Sequence, residues 1–194
     1  MKSTAIRFKA GTIIELSFAT VIEGQEDQVF GEYFPKVTPI VADLGGAPLC
    51  SFSITDSAAS LGMPKMGALF QWPNMDAFRL LHEDPRYLAI KSIRDDALSF
   101  FSNGHFFIVN EDSIVTFNEG ESYALYTEWE NDGKRKQSPL LSLHAAVPTS
   151  IEKYQPALVH ISQWNDNAEL ELSNAQSGAS AEKDIFKFEL NFPA

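Results

Sequence analysis

Leu69-Phe70-Gln71-Trp72-Pro73-Asn74, running on to Asp84-Pro85-Arg86-Tyr87 and Arg94, is the stretch whose reading decides the fold. Ala68-Leu69-Phe70 is an apolar run suited to a strand buried on at least one face. Pro73 has no N–H for a ladder, so it ends the pairing. Asn74 then caps a helix by accepting from the orphan N–H groups of its first turn. Pro85 interrupts that long helix, and Ile90, Ile93, Ala97 and Phe100 fall on one face at helical spacing. Arg94 borders the stripe, where a guanidinium needs an anion from the protein or from a ligand. His105 to Val109 is the closing strand.

Working backwards, Thr12 to Val21 alternates, with Ile14, Leu16 and Phe18 on one face and Ile13, Glu15 and Ser17 on the other. Gly24 to Leu44 carries apolar residues at helical spacing, and Pro35 and Pro39 predict a kink or two short helices. Gly45-Gly46 is its stop. A second strand runs from about Ala47 to Ile54, and residues 55–66 read as a long hairpin loop. The order over residues 1–110 is β-α-β-β-α-β, the α+β, ferredoxin-like arrangement with two helices on one face of a four-stranded antiparallel sheet.

Residues 111–120 read as a linker. Beyond it the pattern returns without its first helix. Tyr123 to Glu130 is strand-like, Asn131 to Ser138 a charged turn, and Leu140 to Val147 and Pro156 to Trp164 are apolar runs. Gln163-Trp164-Asn165 then echoes Gln71-Trp72-Pro73-Asn74 at the same place in the order of elements. Ala168 to Lys183 is a weak helix, poor in apolar residues, and Asp184 to Phe192 a last strand. The expectation is a tandem duplication, with residues 120–194 a degenerate second ferredoxin-like half.

The set Tyr33, Pro39, Gly45-Gly46, Trp72-Pro73-Asn74-Met75, Phe78, Asp84-Pro85-Arg86-Tyr87 and Arg94 resembles an uncharacterised bacterial family of the dimeric α+β barrel superfamily. That superfamily also holds antibiotic-biosynthesis monooxygenases and muconolactone-isomerase-like proteins. The resemblance implies two ferredoxin-like sheets paired into a barrel, a small-molecule site between sheet and helices, and chemistry that needs no metal or organic cofactor. With about 80 further residues than the family pattern, the barrel is expected either within one chain or in a homodimer.

Tyr87 and Arg94 lie seven residues apart, two helical turns, and share a face. They suit a carboxylate, phenolate or enolate. Equally, Arg94 suits an ion pair with Glu15, and Tyr87 a place in the core. His82 is the best-placed acid/base near neutral pH. Tyr33 and Trp72 are further substrate-binding candidates as pocket walls, alongside Arg94. His105, His144 and His160 form no metal-ligand spacing with one another or with His82. Phosphate loop, dinucleotide fingerprint and nucleophile elbow are all missing from the sequence.

A formal charge of −11 disfavours nucleic acid and anionic membranes as partners. The balance is 9 Lys/Arg against 12 Asp/Glu in residues 1–110, and 6 against 14 in residues 111–194. Cys50 is the one cysteine, so no intrachain disulfide forms, and in its strand-like run it reads as a small buried hydrophobe. Glu15 interrupts the apolar run from Ile13 to Phe18, which argues against a signal peptide. A cytoplasmic location is expected. Two functions stay open: a small-molecule protein, cofactor-independent and of isomerase, lyase or monooxygenase type, acting on a small anionic or phenolic compound; or a non-enzymatic binding or assembly module.

Overall fold

The computed structural model describes residues 2–59, 63–102, 104–129, 139–146, 155–177 and 183–192. In chain order come β1 (Ser3–Phe8), β2 (Ile13–Val21), a π-helical turn (Gln28–Tyr33), α1 (Phe34–Asp43), β3 (Ala47–Ala58) and β4 (Met66–Trp72). Then follow α2 (Met75–Glu83), α3 (Pro85–Asp95), β5 (Leu98–Phe101), β6 (His105–Ile108), β7 (Ser113–Asn118) and β8 (Ser122–Glu128). The last are β9 (Leu141–Ala145), β10 (Leu158–Gln163), α4 (Asp166–Gln176) and β11 (Lys183–Leu190). No helix among these is long and apolar enough to cross a membrane.

The strands do not make a simple four-stranded ferredoxin-like sheet. They pair antiparallel in the order β4-β3-β11-β8-β10-β9-β6-β2, and β2 pairs back onto β4, which closes an eight-strand barrel-like sheet. β5 continues the β6 edge, pairing with Ala19–Val21 of β2 while β6 pairs with Ile13–Leu16. Alternation explains the closure. Ile14, Leu16 and Phe18 join Phe52, Leu69, Phe107, Leu125, Leu143, Ile161 and Phe186 in one core fed by every barrel strand. Burial on that inner face sets the register, because a slip by one residue would turn each apolar set outward.

Residues 111–120 are not a plain linker. β7 lies within them and pairs antiparallel with β1, a strand that precedes the expected first strand from Thr12. Ile6, Phe8, Val115 and Phe117 of this ribbon pack into the barrel core. The second strand runs on to Ala58, into the expected loop. Pro35 sits in the first turn of α1, where a missing N–H costs nothing, and only Pro39 is internal. Phe100 is not on a helix: α3 ends at Asp95, and Phe100 belongs to β5. Residues 131–138, expected as a charged turn, lie outside the described residues.

The helices of residues 1–110 cover the outer face of β2, β4 and β6, where Ile13, Trp72 and Phe106 meet Val37, Val41, Leu81 and Tyr87. Their ends are sharply specified. Gly45 N–H bonds Ala42 C=O and Gly46 N–H bonds Val41 C=O, a Schellman close that needs the positive φ of Gly45. Asn74 caps α2 by accepting from Ala77 N–H at 2.9 Å. Asp84 ends α2 and caps α3, accepting from Arg86 N–H at 2.8 Å, with Pro85 in the first turn. α4 covers a smaller outer patch, where its Ala168 and Leu172 meet Ala124, Tyr126 and Ile185.

Candidate functional site

Between the outer face of β2, β4 and β6 and the helices lies a cavity of about 800 Å³. That volume suits a small molecule. Its wall combines aromatic and aliphatic side chains with a set of polar and charged ones, Glu15, His82, Lys91, Arg94 and Asp95 among them. Tyr33, Trp72, His82, Tyr87 and Arg94 all line it, so the five site candidates read from the sequence surround one space.

The Asp84-Pro85-Arg86-Tyr87 turn builds one wall. Arg86 reaches from Asp84 at 2.8 Å to Asp43 at the end of α1 at 2.7 Å, tying α3 to α1. Tyr87, one residue on, is thereby turned inward and is 1% exposed. Two turns later Arg94 donates from Nη1 to the Tyr87 hydroxyl at 3.1 Å. Its guanidinium lies 5.7 Å from the Tyr33 ring centre and 4.4 Å from that of Phe101. Among the described residues the carboxylate that pairs with Arg94 is Asp95, at 2.6 Å, and not Glu15. Burial pulls on the Arg94 charge, yet Tyr33, Tyr87 and Asp95 hold its pKa above the ordinary value. Burial also pushes the Tyr33 hydroxyl up.

Glu15 forms the floor. It projects from β2 on the helix-facing side and is 9% exposed. Trp72 Nε1 donates to its Oε2 and Ser17 Oγ to its Oε1, each at 2.9 Å. Gly104 backs it so closely that a Cβ there would lie 2.7 Å from Glu15 Cγ. Burial pushes its carboxyl above the usual carboxylate range. The two hydrogen bonds and the nearby charges of His82 and Arg94 pull the other way without cancelling the rise.

His82 sits at the rim. Its Nδ1 is 3.1 Å from Phe78 C=O, and its ring lies against Phe78 and Tyr87 at 4.5 and 5.2 Å. His105 packs edge-on to Phe18 of the barrel core and also contributes to the cavity lining, and burial brings its pKa down to about 4. Burial pushes the Cys50 thiol up to about 12, so it is inert as a nucleophile near neutral pH. Among the described residues no group of three His, Cys, Asp or Glu side chains is placed to hold a metal ion.

No family model and no curated protein matches this sequence. A solved structure described as a "putative monooxygenase" from Lactobacillus acidophilus NCFM aligns over 93% of this chain and 94% of its own. The TM-score is 0.41 and the identity 9%, a likeness too loose to carry an argument about fold or function.

Sequence reasoning missed three parts of the site. Glu15 entered only as a partner for Arg94, although a lone carboxylate between Ile13 and Ser17 on a helix-facing strand face was a usable signal. Ser17 two residues on belonged to the same signal. Gln155 had none. It joins the cavity wall from outside residues 1–110, buried and accepting from Phe106 N–H at 2.7 Å.

Proposed function

We propose that the protein binds a small anionic or phenolic compound in this cavity, with Arg94, Tyr87 and Tyr33 receiving the anion and Trp72 walling the apolar body. The carrying observation is an arginine with a side chain only 13% exposed, on the wall of a space large enough for a ligand. A guanidinium there offers charge-assisted hydrogen bonds in a low-dielectric setting, where they count most. His82 at the rim is the candidate proton carrier between site and solvent. The family resemblance supports cofactor-independent chemistry of isomerase, lyase or monooxygenase type.

The Asp95 partner of Arg94 favours the other reading, a binding or assembly module in which Arg94 only closes an ion pair. One variant separates the two. Arg94→Met keeps aliphatic bulk and removes the charge. With 4-nitrophenolate as probe, the ligand reading expects binding weakened at least about tenfold, the effect of one lost charge-assisted contact, with a near-native melting temperature. A strongly lowered melting temperature with binding intact refutes it.

We further infer that residues 1–110 and 120–194 are two ferredoxin-like halves of a tandem duplication. Strand order supports it. The first four strand positions run β6-β2-β4-β3 and the second β11-β8-β10-β9, which is the same order when each set is counted along its own chain. In both, a tryptophan at or just past the end of the third strand is followed by an asparagine helix cap, Trp72 with Asn74 and Trp164 with Asn165.

A further inference from the structure

We propose that Glu15 is the catalytic proton-transfer group of this cavity, taking a proton from a carbon acid whose oxygen anion Arg94 receives. The proposal rests on the ligand reading above and adds the reaction class, an enolisation or proton shift.

The geometry around the carboxyl is what a reversible base needs. Trp72 Nε1 is a donor only, so Oε2 is committed as an acceptor in either protonation state. Oε1 can then carry the proton of the acid form without disturbing that bond. There the Ser17 hydroxyl donates to the carboxylate and, by rotating, accepts from the carboxylic acid. Neither state leaves a buried polar group without its partner. A glutamate held for structure alone would be expected to meet fixed donors on both oxygens. Gly104 leaves no freedom behind the side chain, so its open side is the cavity. Burial also raises its proton affinity above that of an ordinary carboxylate.

The step balances without a co-reactant. A C–H bond next to a carbonyl breaks and its proton goes to Glu15 Oε1. The C–H electron pair forms the C=C bond, and the carbonyl π pair moves onto oxygen beside Arg94. Once the proton on Glu15 has exchanged with solvent, delivery of a solvent-derived proton or deuteron to the same carbon gives exchange, and delivery to another carbon gives isomerisation. The titratable and charged groups lining the same space are Tyr33 from the π-turn, His82 from α2, Tyr87, Lys91, Arg94 and Asp95 from α3, and His105 from β6.

Phenylpyruvate in D₂O tests this, having a carboxylate, an aromatic body and an acidic benzylic C–H. Calorimetry reads binding, and proton NMR reads loss of the benzylic signal. The protein is expected to bind it and to speed exchange above the protein-free rate by at least about 100-fold, the lower range for a positioned base. Glu15→Gln keeps both hydrogen bonds, since its amide accepts from Trp72 and donates to Ser17. It should bind phenylpyruvate within about threefold of wild type and exchange at the protein-free rate. Ser17→Ala should slow exchange and move the rate–pH profile to higher pH, because the carboxylate loses a donor. Binding without exchange, or exchange undiminished in Glu15→Gln, overturns the role of Glu15 and leaves the ligand reading standing. No binding by the wild-type protein overturns both.

Discussion

Trp72 Nε1 donates to Glu15 Oε2 at 2.9 Å, a diagonal contact across the antiparallel pair of β4 and β2. It links the end of the strand that launches α2 to the buried carboxylate on the cavity floor. Trp72 is 1% exposed, so this bond forms out of reach of water. The tryptophan is thus both wall and hydrogen-bond donor, and its removal should show in the charge state of its partner.

Trp72→Phe keeps the ring bulk and deletes the donor. The ionised carboxylate loses more than the neutral acid does, so the proton affinity of Glu15 should rise further. We expect a stability loss of about 1–3 kcal/mol, the cost of an under-satisfied buried acceptor, larger where the carboxyl is ionised than where it is protonated. Urea unfolding across a pH series checks this, and a loss that does not vary with pH would refute it.

The sequence made this face of β2 legible but not its use. Alternation placed Glu15 and Ser17 opposite Leu16, and helical spacing put Tyr87 and Arg94 on one side of α3. What no local pattern carries is closure. β1 finds its partner, β7, only more than 100 residues later. The same limit hid Gln155, whose place depends on β9 meeting β6. Phe100 misled for the opposite reason. Its helical spacing from Ile93 was real, but Ile22 N–H takes the Ala97 C=O and draws the chain into the sheet.

His105 should make stability depend on pH. Its folded pKa lies near 4, below the ordinary value of 6.5, because burial penalises the cation. A group depressed by folding stabilises above its unfolded pKa, and that contribution is lost as pH falls from 6.5 toward 4. The shift is worth about 3 kcal/mol at most. Glu15 acts with the opposite sign, losing its contribution as pH rises above the ordinary glutamate value. Since Glu15 is common to both proteins, the difference between wild type and His105→Phe isolates the histidine. The wild type should gain more stability between pH 4 and 6.5 than the variant does, measured by urea unfolding.

Asn74→Ala removes the side-chain cap of α2 and strands the Ala77 N–H. We expect a loss of about 1 kcal/mol. Asn165→Ala should cost a similar amount at α4, where the same side chain accepts from Asn167 and Ala168 N–H. Paired melts of the two variants check this, and a neutral effect at either position would show that helix held by packing alone.

Barrel closure within one chain bears on assembly. Among the described residues each of the eight barrel strands has a neighbour on both sides, since β2 returns to β4, so the barrel itself leaves no long edge to pair with a second copy. β5 and the two strands of the β1–β7 ribbon pair on one side only. The outer face of β2, β4 and β6 is covered by helices, and α4 covers part of the rest. The expectation is a monomer of 21.6 kDa in sedimentation equilibrium. Gly104→Ala makes the companion test of whether the cavity floor is as tightly set as the closed barrel implies. Its added Cβ would press on Glu15 Cγ and Oε1 at 2.7 and 2.8 Å, so the carboxylate must move. A cost of about 1–3 kcal/mol is expected from such overpacking. The variant should stay monomeric, since the contact is internal. A dimeric wild type, or a Gly104→Ala variant as stable as its parent, would contradict the closed and tightly packed arrangement of β2 against β6.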